Sequence, residues 1–286
     1  ILSVFFRAEI QFFKELETMI LDRNPLKTKL SQGGTVLGTA IFSWSPNMVE
    51  AAGYAGLDFI RIDTEHAWRK DSDIEHLIRA AYLSGIMPLV RIDGNDPCLP
   101  GKAFEIGAAG IIATEIDSVD AAKALVANSK FPPHGVRGYS GNCWSGGWGM
   151  KAGKGWVTKS NSELMIGIMV EDPNCLDQVD DIMDVDGIDF ALFGPADYSM
   201  ALGLGGPSKD DTRVQDALLK TISASQKAGK HVMFNPGFQD VTISRAKGLG
   251  VTMIEIGNDI GIAAHVWKNT IDKTNDLQQL ESDKDS

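Results

Sequence analysis

The sequence predicts one (β/α)8 barrel, a TIM barrel of the α/β class, and three observations carry that prediction. Eight short apolar runs rich in β-branched residues recur along the chain, each bounded by Gly, Pro, Asp or Asn. Segments of helical periodicity separate most of them, the pattern of parallel strands buried on both faces. The 286 residues suit a single barrel with additions, and 43% hydrophobic residues can fill its core. An open doubly wound sheet of dinucleotide-binding type would carry a Gly-rich fingerprint after its first strand, whereas Gly33-Gly34 precedes that strand.

The strands are read at residues 36–42, 59–63, 88–91, 110–114, 165–171, 188–193, 231–235 and 253–257. The first helix between them, 46–55, opens on Ser45-Pro46, a capping residue followed by Pro in the first turn. Helices at 71–84 and 118–129 follow, the second behind Asp117-Ser118, and then 175–183, 212–227 and 241–247. Residues 35–270 make up the barrel domain, and 1–34 an N-terminal helical arm. Within that arm, charges interrupt the apolar residues of 5–21 at helical spacing, which makes an amphipathic helix and a poor secretory core. Residues 132–162 form a Gly- and Trp-rich insertion. A loop of that length is either a lid over the site or a flap that sets Trp144, Trp148 and Trp156 against a neighbouring subunit. The acidic polar tail, 271–286, is expected to fray.

The formal net charge of −11 argues against nucleic-acid and anionic-membrane partners. Cys98, Cys143 and Cys175 are far apart and form no CxxC pair, which fits a reducing compartment. No apolar run is long enough to span a bilayer, so a cytoplasmic protein is expected.

Barrel enzymes place their chemistry at the C-terminal ends of the strands. There the sequence sets Asp63-Thr64-Glu65-His66, Arg91, Thr114-Glu115, Glu171, Asp197, Asn235 and Gly257-Asn258-Asp259. Glu171 ends the fifth run and Asp197 follows the sixth in a Gly-Pro turn, so neighbouring strands bring two carboxylates side by side. Either alone is ordinary capping or turn chemistry; the pair suits a hard divalent cation with positions left open for substrate. His66 is the one histidine at a strand end and can serve as a base near neutral pH, with Asp63 and Glu65 beside it. Arg91 is expected to hold a carboxylate or a developing enolate oxygen, to bridge Asp63 or Glu171, or both. No apolar run ends in lysine, and Lys230 starts the seventh strand at the wrong end for a Schiff base. Gly257-Asn258-Asp259 has no basic neighbour in sequence and is not assigned to phosphate.

Six segments in order and spacing, IDTEHA, PLVR, FPPHGVRG, VED, VDGIDFALFGPADYSMALG and AGKHVMF, resemble the HpcH/HpaI aldolases, metal-dependent class II pyruvate aldolases. The resemblance spans about residues 38–257. It implies a Mg²⁺ ion, or Mn²⁺, on Glu171 and Asp197, chelated by the keto and carboxylate oxygens of pyruvate or oxaloacetate. It further implies substrate-carboxylate binding by the amides of Ala196 and Asp197, an enolate-stabilising Arg91 and an acid/base His66. Asp63 would support the site through water on the metal, and Glu105 stands where the family keeps an Asp that supports the histidine. It also implies a homo-oligomer, a hexamer in which the C-terminal helix exchanges between subunits.

Departures from the family pattern fall on the second-substrate side: Thr114-Glu115 replaces a common Pro, and Trp44 stands beyond a motif that lacks its Trp at Ala40. Trp44 and Thr114 are therefore assigned to substrate binding. The activity expected is decarboxylation of oxaloacetate to a pyruvate enolate and its addition to a second substrate, a 2-pyrone giving a benzoate, under the Trp-rich loop. The alternatives are an aldolase that cleaves 4-hydroxy-2-oxo acids to pyruvate and an aldehyde, and a non-catalytic binding barrel.

Overall fold

The structure is a computed structural model that describes residues 23–66 and 73–282. Eight parallel strands close a barrel in sequence order: β1 (Val36–Ile41), β2 (Phe59–Asp63), β3 (Met87–Asp93), β4 (Gly110–Thr114), β5 (Met165–Val170), β6 (Phe190–Phe193), β7 (His231–Phe234) and β8 (Met253–Asn258). Glycine lets the closed interior fill. Gly38 pairs with Phe59 and Gly167 with Phe190, and a Cβ on either glycine would lie within 2.4 Å of the facing ring. Small residues opposite large ones let the rings of one strand cover the next.

The helices, in chain order, are α1 (Pro25–Ser31), α2 (Pro46–Tyr54), α3 (Ile74–Leu83), α4 (Leu99–Glu105), α5 (Val119–Ser129), α6 (Lys154–Glu163), α7 (Pro173–Asp177), α8 (Val179–Met183), α9 (Pro195–Ala201), α10 (Thr212–Lys227), α11 (Asp240–Gly248) and α12 (Asp259–Ser282). The expected helix at 175–183 is two short ones, because the chain turns at Gln178. Of the predicted N-terminal arm, 1–22 lie outside the described residues. The remainder contains α1, whose Leu26 and Leu30 are buried in the main core. Asn24 caps α1 and ties it to Ala109 and Glu163 at the N-terminal end of the barrel.

The insertion ends in α6 and carries its own small core of Phe131, Cys143 and Trp156. Trp144 stacks on Tyr82 with ring centroids 5.0 Å apart. It also occupies the space above Gly107, where a Cβ would meet its ring at 2.4 Å. Tyr82 and Gly107 precede the starts of β3 and β4, so the insertion docks at the end of the barrel away from the strand C-termini. Of the two alternatives, the lid over its own site does not form. Trp148 is exposed, while Trp144 and Trp156 pack within their own chain.

The predicted tail is helical through Ser282, continuing α12; residues 283–286 lie outside the description. Among the described residues no helix is long and apolar enough to cross a membrane.

Candidate active site

Strands β2, β3 and β8 carry charged residues within buried runs, and those of β2 and β8 set the floor of the site. Arg61 in β2 and Glu255 in β8 are both buried, so each needs a partner of opposite sign. They find each other across β1: Arg61 Nε and Nη2 donate to the Glu255 carboxylate at 2.7 and 3.0 Å. Arg61 Nη1 reaches Asp63 Oδ2 at 2.6 Å, and Asn235 Nδ2 donates to Glu255 at 3.2 Å. Burial opposes the charge on Arg61, but Glu255 and Asp63 outweigh it and hold the guanidinium above its ordinary pKa.

Asp63 is the hub of this network. Arg91 Nη2 donates to it at 2.8 Å, and the amides of Glu65 and His66 donate to Oδ1 at 3.2 and 3.0 Å. Burial would raise its pKa, yet Arg91 and Arg61 hold it below the ordinary value. Both oxygens are engaged by protein donors, so Asp63 fixes Arg91 and the backbone under His66. Arg91 also pairs with Glu65 at 3.2 Å, and its buried Nε has no hydrogen-bond partner among the described residues.

His66, Asp63, Arg91, Ala196 and Asp197 line one cleft of about 220 Å³, together with Phe42, Arg61, Phe193, Lys209, Asn235 and Glu255. Glu171 stands beside it. A Cβ on Gly194 would meet Met169 Cε at 2.5 Å and would lie 3.5 Å from Glu171 Cβ and 3.7 Å from Asp197 Oδ2, so Gly194 adjoins both carboxylates. Burial pushes the Glu171 carboxyl up to about 7; the Glu115 amide lowers it, while Glu65 and Asp197 raise it further. That amide reaches Glu171 Oε1 at 3.1 Å from a left-handed residue, φ 60°. Such backbone strain at a site is held by its surroundings.

A buried carboxylate with a second one beside it is suited to a hard cation, which would offset the cost of the Glu171 charge. Among the described residues no group of three or more His, Cys, Asp or Glu gathers as a ligand set. Glu171 and Asp197 would therefore bind with positions left for water or substrate. In α9 the first intrahelical bond is Tyr198 N–H to Gly194 O, which leaves the Ala196 and Asp197 amides of the first turn for a ligand.

Three sequence assignments fall elsewhere. Glu105 ends α4, the return helix, and lines a separate groove with Arg137 and Tyr139, away from His66 of its own chain. Trp44 is buried with its indole N–H on the Asp63 carbonyl at 3.0 Å, and it supports the end of β2. Thr114 is buried, its hydroxyl on Ile92 O at 3.4 Å. Neither lines the cleft. Arg61, Glu255 and Lys209 were missed. The first two had a signal, a charge inside a strand buried on both faces; Lys209 sits in a loop and had none. Asp259 accepts from the Phe42 and Ser43 amides, at 2.8 Å for Phe42, so its carboxylate closes β8 onto β1.

Residues 41–265 match the model of the HpcH/HpaI aldolase/citrate lyase family. The chain belongs to that family. HpcH/HpaI proteins are aldolases and citrate lyases, enzymes that make or break carbon–carbon bonds. A 2-keto-3-deoxy-L-rhamnonate aldolase of Klebsiella pneumoniae is 31% identical over 242 residues, 82% of this chain and 87% of that protein. The crystal structure of the citrate synthase SbnG superposes with a TM-score of 0.77 at 28% identity, covering 89% of this chain and 98% of that one. Macrophomate synthase shares the fold, with a TM-score of 0.76 at 23% identity over 91% of both chains.

Proposed function

We propose that this protein is a divalent-metal-dependent carbon–carbon lyase that forms the enolate of pyruvate from a 2-oxo acid. The observation that carries this is the convergence, at one cleft, of an adjacent carboxylate pair, a buried arginine with an unclaimed Nε, and a histidine. Glu171 and Asp197 would hold Mg²⁺, or Mn²⁺, whose charge draws electrons from the keto group of the substrate. The Ala196 and Asp197 amides receive the substrate carboxylate. Arg91 stabilises the enolate oxygen through Nε, held by Asp63 and Glu65. His66, its backbone fixed by Asp63, takes the C4 hydroxyl proton of a 4-hydroxy-2-oxo acid as the C3–C4 bond breaks. The aldehyde leaves and the enolate is protonated at C3 to give pyruvate. With oxaloacetate the same bond breaks with loss of CO₂.

Aldol cleavage is the first reading, supported by the sugar-acid aldolase among the relatives. Oxaloacetate decarboxylation followed by enolate addition to a conjugated acceptor, such as a 2-pyrone giving a benzoate, is the second. Phe42 and Phe193 offer that acceptor an apolar wall. The Trp-rich loop, docked at the other end of the barrel, offers it no seat within the chain.

A homo-oligomer, a hexamer with α12 exchanged between copies, belongs to this proposal. Glu105 faces away from His66 of its own chain, so its carboxylate supports a histidine of a neighbouring copy.

The test is pyruvate release from oxaloacetate and from 4-hydroxy-2-oxo acids after EDTA, then after adding back Mg²⁺ or Mn²⁺. Metal-restored turnover is expected, lost in folded Arg91→Ala and Glu171→Ala variants. Full activity in either variant, or no bound metal, sinks the reading and leaves a binding barrel.

A further inference from the structure

We infer that Lys209 selects a second substrate that carries an anionic group, reading that charge at the mouth of the cleft. The inference rests on the lyase reading above and names the chemistry of the fragment that leaves or joins the enolate. Among the described residues, three cations line the cleft: Arg61, Arg91 and Lys209. The first two are committed, Arg61 to Glu255 and Asp63, and Arg91 to Asp63 and Glu65. Lys209 is exposed and forms no ion pair among the described residues, although Asp210 and Asp211 follow it. Asp211 is taken by Arg213 at 2.8 Å.

The loop that carries Lys209 is anchored on both sides. The Ser208 amide donates to Ser199 Oγ at 3.1 Å, and Ser199 is fully buried in α9, two residues beyond Asp197. Gln215 of α10 donates to the Lys209 carbonyl. The backbone of Lys209 is thereby tied to the helix that supplies Ala196 and Asp197. Its ammonium is a point charge on a flexible stem at the rim, suited to capturing an anion of variable geometry.

The enolate half of the reaction has no use for this charge. Pyruvate's own carboxylate is met by the Ala196 and Asp197 amides in the proposed function, and its enolate oxygen by Arg91. The charge serves the other fragment, beyond the bond that breaks. A carboxylate and a phosphate present the same acceptor chemistry there, and the substrates below separate them.

Exchange of the pyruvate methyl protons in D₂O reports the enolate half alone. Aldol addition of pyruvate to 4-oxobutanoate against butanal, and to glyceraldehyde 3-phosphate against glyceraldehyde, reports the charge of the partner. Lys209→Met should leave methyl exchange unchanged and lower kcat/KM about tenfold for the charged aldehydes through KM, with neutral ones unaffected. Lys209→Arg should restore most of the loss, and added salt should shrink the difference. The arm with the larger loss identifies carboxylate or phosphate as the preferred anion. Equal loss for charged and neutral aldehydes, or no loss for either, overturns the assignment while methyl exchange keeps the lyase reading intact. Absence of metal-dependent exchange in the unmodified protein overturns the lyase reading and the role of Lys209 with it.

Discussion

Asp63 and Glu171 both stand at the ends of barrel strands, yet their surroundings drive them in opposite directions. Two arginines hold Asp63 ionised, so the stability it contributes is present above its unfolded value and is lost as pH falls through its lowered folded value. Glu171 is buried beside other carboxylates and is pushed up to about 7. Below its ordinary value of 4.5 the folded and unfolded chains both carry that proton. Between there and about 7 the unfolded chain ionises first, so the folded state loses relative stability as pH rises across that window. Glu171→Gln removes the loss. Without metal at pH 8 the variant should melt higher than the parent, by about 2–4 °C for each kcal/mol relieved. Well below pH 4.5 the two should coincide, and Mg²⁺ should raise the melting temperature of the parent alone. A variant that melts lower at pH 8, or still gains from Mg²⁺, would remove Glu171 from the metal set.

At the level of elements, the strands were legible because parallel strands buried on both faces leave continuous apolar runs, and all eight formed close to where they were read. Arg61 and Glu255 were visible as charges inside those runs; their pairing across β1 was not, since it depends on barrel closure. The groove that Glu105 lines was not legible, because a motif gives sequence order but not the direction of a helix, and α4 carries its last residue away from His66 of its own chain. Trp44 and Thr114 lay near strand ends, where side chains alternate between the cleft and the packed wall. The insertion was legible as an insertion only. Its docking rests on a fit between Trp144 and the bare backbone at Gly107, where φ is 105°. Gly107→Ala meets both the strained conformation and the indole, and should cost about 1–3 kcal/mol. Near-UV circular dichroism should show the loss of ordered Trp144, with β4 and turnover retained. Unchanged spectra and melting would mean that the loop docks by other contacts.

On the scale of the whole molecule, α12 stands out as a long helix with few neighbours among the described residues. Ile260, Val266, Trp267 and Ile271 are all exposed on it. A single chain gains little from that apolar surface, whereas a second copy could bury it. The melting temperature should therefore rise with protein concentration, and deletion of residues 260–286 should reduce the molar mass seen by light scattering. A monomer whose melting is indifferent to concentration would exclude helix exchange. The ion pair between Arg61 and Glu255 has a different consequence, one of timing. It joins residues 194 apart in sequence, and Asp259 fastens the same seam to Phe42. Contacts so distant along the chain carry the largest loop-closure cost and are slow to form. Arg91 is aimed by Asp63, and Asp63 is braced by that seam, so catalytic competence arrives only when the first and last strands meet. Until β8 has closed onto β1, Asp63 lacks that brace and Arg91 its aim, so a partly folded barrel holds no finished site.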